Sequence, residues 1–426
     1  MSEPPASAGG LHLTHPLTQV VLTRAAFIPS MDDSIEQAFN DLFQWCRRRG
    51  FAGYDPFDAL NSRLFQSTPL KHSRTARLIQ TQVLKRSPVN LRPLARVSPQ
   101  KNSKGIALFA LAGLSTYRRL KTQEAENEAR ELLDKLVGMR IWGYNGNAWG
   151  YNFDWQNRNF FAPKGTPMIV PTAFAARAFF EAYETFKDND YLPIAQSVCD
   201  FILLDLPRSA ETDDRHGEVC FSYSPLDDTK VFNSSLLAAE TLICIGASSG
   251  DAAFREQTQQ LALRATNYVL KRQRADGSWA YGTGNTQAWV DNFHTAYVLM
   301  SLSRIMKCSA GAIDLQPALQ RGYQFWRDSF FLADGWPKYY HDALYPADAH
   351  SAATAIVALI ELKELDSGAV ALAERLAEWT LRNLRDSRGF FYYQRRRFYT
   401  VRTPFMRWTQ AWMAYGLARL LEETHA

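Results

Sequence analysis

Five stretches of the chain repeat one order of polar and apolar positions. Each starts at a glycine, reaches an aromatic and then a tyrosine, crosses a polar loop and enters a helix of small and apolar residues. The copies read Gly146-Asn-Ala-Trp149-Gly-Tyr151, Gly217-Glu-Val-Cys-Phe221-Ser-Tyr223, Gly277-Ser-Trp279-Ala-Tyr281, Gly335-Trp336-Pro-Lys-Tyr339 and Gly389-Phe-Phe391-Tyr-Tyr393. Successive glycines are 71, 60, 58 and 54 residues apart, close to the length of two helices with their connections. A regular interval of this kind marks a repeating helical-hairpin array.

The polar loops end at Pro171-Thr172, Asn233-Ser234, His294-Thr295, His350-Ser351 and Thr409-Gln410. The helices that follow are apolar almost all round, which predicts burial. Those between them, such as Phe254 to Leu270, are amphipathic and predict an outer layer. An inner ring of helices inside an outer ring is an all-α fold, an α/α toroid, with short β-hairpins or extended loops at its mouth. The stretch from Gly105 to Tyr117, followed by a helix near Glu124 to Leu136, supplies a sixth, degenerate pair and an (α/α)6 barrel; five pairs is the alternative. The expected organisation is one toroid domain over 31–426 after a disordered segment over 1–30, where Pro4-Pro5 and Gly9-Gly10 fall.

Composition narrows the class without naming a chemistry. The chain has 426 residues, 46% hydrophobic and 21% charged, and no Pro/Gly/Ser linker interrupts the repeats. Its first residues lack the continuous apolar core of a secretory signal, and no later run reaches the roughly 18 apolar residues of a membrane span. A cytoplasmic protein is expected. Cys46, Cys199, Cys220, Cys244 and Cys308 show no paired spacing, so they read as buried thiols, with neither a disulfide framework nor a zinc site. The net charge of +5 is unevenly spread: Lys71 to Arg96 holds seven basic residues and no acidic one, and Arg395-Arg396-Arg397 with Arg402 and Arg407 forms a second cluster. These are either solvated faces or the imprint of an anionic ligand such as a uronate, a sulfated or phosphorylated sugar, or a sugar nucleotide. Nucleic acid is disfavoured, because no binding motif accompanies the charge.

The segments Trp149-Gly-Tyr-Asn-Phe-Asp-Trp-Gln-Asn-Arg158, Trp289-Val-Asp-Asn-Phe-His294, Tyr345-Pro-Ala-Asp-Ala-His350-Ser-Ala352 and Phe398-Tyr-Thr-Val-Arg-Thr-Pro-Phe-Met-Arg407-Trp carry a resemblance. So do Gly53-Tyr-Asp-Pro-Phe-Asp-Ala-Leu-Asn61 and Arg86-Ser-Pro-Val-Asn-Leu-Arg92. Together they resemble a group of uncharacterised bacterial α/α-toroid proteins associated with surface-polysaccharide biosynthesis, over nearly the whole chain. More distantly the chain is similar to six-hairpin glycosidases and to prenyltransferase and triterpene-cyclase toroids. The resemblance implies a toroid; it leaves hydrolase, lyase, epimerase and cyclase activities open.

In such a toroid the loops before the inner helices gather at one end, over a central cavity. They are both aromatic and polar, the combination that covers a sugar ring and binds its hydroxyls. Trp155, Trp289, Tyr339, Tyr340 and Trp408 are candidates for stacking, whereas Trp149, Trp279 and Trp336, next to the repeat glycines, read as hairpin core. Arg407, Arg158 and Lys230 could hold a carboxylate or phosphate. Asp228, Asn233, Asn292, Asp348 and Tyr399 complete the expected substrate-binding set.

Three functions remain open. Glycoside hydrolysis requires two carboxyl groups about 5 to 5.5 Å apart for retention or about 6.5 to 9.5 Å for inversion, and Asp154 and Asp291 lie in loops that could supply them. Asp291 could equally cap the helix beginning near Phe293. A uronate-type epimerase or a lyase would instead use His294 and His350, which occupy similar places in two repeats, with Arg407 stabilising the developing charge. The third reading is a non-catalytic glycan-binding or scaffold protein. No metal or cofactor is expected: His-Glu-x-x-His and Cys-x-x-Cys spacings are missing, Gly282-Thr-Gly284 does not continue into a nucleotide fingerprint, and Leu226-Asp227-Asp228-Thr229 lacks the third aspartate of the cyclase motif.

Overall fold

The computed structural model describes residues 31–210 and 217–425; the segment expected to be disordered, 1–30, lies outside the described residues. In chain order the helices are α1 (Met31–Arg47), α2 (Arg63–Gln66), α3 (Arg74–Arg86), α4 (Ser103–Leu120), α5 (Gln123–Val137), α6 (Ile169–Phe186), α7 (Tyr191–Asp200), α8 (Phe232–Gly246), α9 (Ala252–Leu270), α10 (Asn292–Cys308), α11 (Gln316–Phe330), α12 (Ala349–Glu361), α13 (Ala369–Leu384) and α14 (Ala411–Thr424). Among the described residues seven short strands accompany them: β1 (Trp155–Gln156), β2 (Phe161–Ala162), β3 (Arg208–Ala210), β4 (Val219–Phe221), β5 (Ala347–Asp348), β6 (Gln394–Arg395) and β7 (Thr400–Val401).

Helices α4, α6, α8, α10, α12 and α14 pack side by side, and α14 returns against α4 to close an inner ring. Each has an outer partner: α5, α7, α9, α11 and α13 follow their inner helices directly, and α1 packs on α14. The fold is an (α/α)6 toroid. The degenerate sixth pair is α4 with α5, as the sequence predicted, and the sixth outer helix is α1, at the other end of the chain.

The recurring tyrosine has a backbone task. The first N–H groups of an inner helix have no partner within the helix, and here they bond the tyrosine carbonyl of the next repeat. Ile169 donates to Tyr223, Phe232 to Tyr281, Asn292 to Tyr339 and Ala349 to Tyr393. Met406 donates to the carbonyl of Tyr54, so Gly50-Phe51-Ala-Gly-Tyr54 is a sixth copy of the motif and closes the ring. The tryptophans of the turns do related work on the outer helices. Trp149 donates its indole N–H to Leu136 O near the end of α5, and Trp279 to Val269 O near the end of α9. The glycines are required by close approach: Gly277 and Gly335 have φ of +91° and +86°, and a Cβ on them would stand 2.4 Å from Arg321 O and 2.5 Å from Arg375 O on the next outer helices.

The cysteine reading needs one correction. Cys244 and Cys308, near the C-terminal ends of the neighbouring inner helices α8 and α10, form a disulfide; their separation is one repeat length, which is why no short spacing betrayed it. Cys46, Cys199 and Cys220 are buried and take no part in a disulfide.

Candidate active site

The N-terminal ends of the inner helices and the turns before them surround a cleft of about 820 Å³. The β1–β2 hairpin, α3 and the loops before α8, α10 and α12 wall it. Much of its lining is aromatic: Phe57, Tyr151, Phe153, Trp155, Tyr223, Tyr281, Trp289, Tyr339, Tyr340 and Trp408 all face it. Amides, hydroxyls and charged groups, among them Gln82, Gln156, Asn157, Arg158, Asp291, His294 and Arg407, are interleaved with these rings, a mixture suited to a small polar ring with apolar faces.

At the mouth of α10 the sequence builds one well-defined device. Asp291 is the N-cap, its Oδ1 accepting from the backbone N–H of His294 at 2.9 Å. Its Oδ2 accepts from Trp289 Nε1 at 3.0 Å and stands 2.7 Å from His294 Nδ1. Asp291 is thereby buried with both oxygens engaged, while His294 keeps about a fifth of its side-chain surface exposed. Tyr281 lies against the His294 ring with centroids 4.5 Å apart, and stacks on Trp289 at 4.6 Å with planes 15° apart. A carboxylate on Nδ1 fixes the tautomer that leaves Nε2 as the basic nitrogen. His294 lines the cleft, and no described residue hydrogen-bonds that Nε2.

Arg407 also lines the cleft, but its charge is already matched: Nε and Nη2 grip Asp55 at 2.5 and 2.7 Å, and both residues are buried. Among the described residues Nη1 has no bonded acceptor. The guanidinium sits 4.9 Å from the ring centroid of Tyr151. Asp55 directly follows Tyr54, so the ion pair ties the closing turn of the ring to the π-helical turn before α14.

Of the residues singled out from the sequence, Asp291, His294, Trp155, Arg158, Trp289, Tyr339, Arg407 and Trp408 come together around the cleft, as does Tyr340. The remainder lie elsewhere. Asp154 is outside the lining and accepts the Lys164 N–H within the β1–β2 hairpin, so the carboxylate pair Asp154 and Asp291 is not assembled. His350 is buried under the floor, its Nε2 3.2 Å from Tyr297 OH, with the Phe293 ring stacked on it at 4.5 Å. Burial pushes its pKa well down. Opposed histidines across one cavity are therefore not formed.

The reason is a one-residue offset. Asp291 caps His294 N, and Asp348 caps Ser351 N, so the counterpart of His294 is Ser351. His350 matches Phe293, about 100° around the helix. Asp348 is wholly buried, and burial raises its pKa to about 6. Asn292 is structural: its side chain accepts from Trp326 Nε1 and donates to Lys338 O. Asn233 is buried behind His294 beside a second cavity of only about 10 Å³. Asp228 and Lys230 are not in the lining, and Tyr399 is exposed with its hydroxyl on Arg86 O.

Besides Asp55, sequence reasoning missed two lysines. Lys85 holds its ammonium 4.3 Å from the Phe57 ring and 5.7 Å from that of Trp408, both of them cleft residues, and burial lowers its pKa to about 8. Lys104 is buried on the barrel axis against Phe174, Tyr297 and Trp412, and it donates to Tyr297 OH at 3.0 Å. Its pKa is pushed well down by burial. Among the described residues no cluster of three or more His, Cys, Asp or Glu side chains is arranged to hold a metal ion, and no helix is long and apolar enough to cross a membrane.

No known family model matches this sequence, and no curated protein matches it either. Solved structures do. Cellobiose 2-epimerase from Bacillus thermoamylovorans is 12% identical with a TM-score of 0.58, over 77% of this chain and 90% of that one. A heparin-specific unsaturated glucuronyl hydrolase is 12% identical at 0.58, over 93% and 98%. A GH76 α-mannanase from Bacteroides thetaiotaomicron is 13% identical at 0.56, over 78% and 88%. At these identities the likeness establishes the shared toroid fold.

Proposed function

We propose that this protein is a carbohydrate-active enzyme that moves a proton at a sugar carbon beside a carbonyl, an epimerase or isomerase. The observation that carries the reading is the Asp291–His294 pair: an imidazole oriented through Nδ1 by a buried carboxylate, with the ring in an aromatic cleft. That is the arrangement of a general base. Nε2 would take the proton from the carbon, leaving an enediolate whose oxygen charge meets the free Nη1 of Arg407. Burial raises the pKa of Tyr223, Tyr281 and Tyr339, so their hydroxyls stay protonated and can donate. Return of the proton by His294 to the neighbouring carbon, with the hydroxyl proton passing from one enediolate oxygen to the other, isomerises an aldose to a ketose; reprotonation of the first carbon on its other face, by water to which His294 in turn gives up its proton, inverts that carbon.

Glycoside hydrolysis by paired carboxylates has less support, because Asp291 is the one acidic residue in the cleft lining among the described residues and both its oxygens are taken. The neighbours of similar fold act on sugars by name, as epimerase, hydrolase and mannanase, and this agrees with a carbohydrate substrate. The test is product analysis on a panel of neutral and uronate-ended reducing oligosaccharides. An isomer of unchanged mass is expected; new reducing ends would restore the hydrolase, and an unsaturated product would make it a lyase.

A further inference from the structure

Between Asp58 and Glu124 the sequence has no acidic residue, and none occurs between Asp386 and Glu422. The fold brings parts of both stretches to one place. Arg402 N bonds Pro88 O, Tyr399 OH bonds Arg86 O, and Arg63 N bonds Arg96 O. Helix α3, the loop over 87–96 and the β6–β7 hairpin thus form a continuous face.

That face is basic and apolar at once. Arg63, Arg74, Arg86, Arg96, Arg397 and Arg402 are exposed, and no salt bridge engages any of them among the described residues. Other arginines near the surface do find carboxylates, as Arg118 does with Glu422 and Arg130 with Asp188. Between these charges stand Ile79 and Val83, one turn apart on the solvent side of α3, with Val89, Leu94 and Phe398 beside them. Leu94 is 76% and Phe398 85% exposed. A soluble polyanion would neutralise the arginines but leave such aliphatic and aromatic groups in water. A bilayer with anionic headgroups takes both, the charges at the headgroups and the apolar side chains below them.

We propose that this face docks on an anionic membrane surface. Arg86 and Gln82 of α3 also line the cleft, so docking holds the cleft mouth at the headgroup level, where a glycan carried on a lipid would be presented. The docking itself stands independently of the reaction proposed above, and its test reads no activity.

The test is co-sedimentation of the full chain with vesicles of phosphatidylcholine alone or mixed with phosphatidylglycerol, at low and high salt. Binding is expected to the mixed vesicles only, weakening with salt. Arg397→Gln with Arg402→Gln should lose roughly fivefold in partition coefficient per charge removed. Leu94→Ser with Phe398→Ser should lose tenfold or more at an unchanged unfolding midpoint, because both side chains are already in water. Failure to bind the mixed vesicles would overturn the proposal. So would equal affinity for soluble dextran sulfate that the Leu94 and Phe398 changes leave intact, or a concentration-dependent dimer that those changes abolish.

Discussion

Replacing Asp291 with asparagine isolates the role of the carboxylate with little change in shape. Asparagine is as good an N-cap as aspartate, so the bond from His294 N to the side-chain oxygen can persist. At the Oδ2 position, however, an NH₂ would meet two donors, Trp289 Nε1 at 3.0 Å and the protonated Nδ1 of His294 at 2.7 Å. The imidazole relieves one clash by moving its proton to Nε2, which removes the base from the cleft. Loss of the correct tautomer is worth about 10³ to 10⁴ in rate, or about 4 to 5.5 kcal/mol of barrier. The cost to folding is smaller, about 1–3 kcal/mol for one buried donor left unsatisfied. Steady-state kinetics on the substrate found in the panel, with a denaturant titration alongside, measures both. Activity within about threefold of wild type would refute the reasoning, as would a loss of rate fully accounted for by unfolded protein.

Trp289→Ala should raise KM about three- to tenfold through lost stacking and lower the unfolding free energy by about 1–3 kcal/mol, since it removes a donor to the buried Asp291 and a ring stacked on Tyr281; an unchanged KM in the folded variant removes it from the sugar-binding surface. Asp55→Ala leaves the Arg407 guanidinium buried without its partner and should cost about 3–5 kcal/mol in a urea titration; a loss under 1 kcal/mol would contradict the closure role assigned to the pair. Asp348 has a folded pKa of about 6 against an unfolded value of 3.8, so the folded state holds the proton more tightly. Its contribution is fully present below about pH 4 and is lost as pH rises through 6. Asp348→Asn should therefore gain up to about 3 kcal/mol relative to wild type between pH 4 and 7.5; a pH-independent difference in unfolding free energy would refute this.

The toroid was legible because its repeat is enforced by backbone chemistry. Tyrosine carbonyls receive helix N–H groups, tryptophan N–H groups meet helix carbonyls, and glycines allow close approach, so the same residue types recur at the same places. The copy at Gly50 to Tyr54 escaped notice because the insertion carrying α2 and α3 separates it from its inner helix α4, so the local order of elements is broken. The cleft was legible in outline, since loops before inner helices must converge in this topology, and Trp155, Trp289, His294 and Arg407 do meet there. What the sequence concealed was rotation. His294 and His350 occupy similar loop ends, yet their capping aspartates lie three and two residues before them, and that single residue turns one ring to the cleft and the other to the core. Asp55 was hidden for another reason: it lies 352 residues from Arg407, and only closure of the ring brings the two together.

The account rests on His294 acting as a base at carbon, and solvent deuterium reads that step directly. Purified protein incubated with the sugar panel in heavy water should place deuterium on the carbon beside the carbonyl, with the chain uncleaved, and His294→Gln should abolish the exchange while retaining the fold. Turnover with new reducing ends and no carbon-bound deuterium, or exchange that survives His294→Gln, would contradict it.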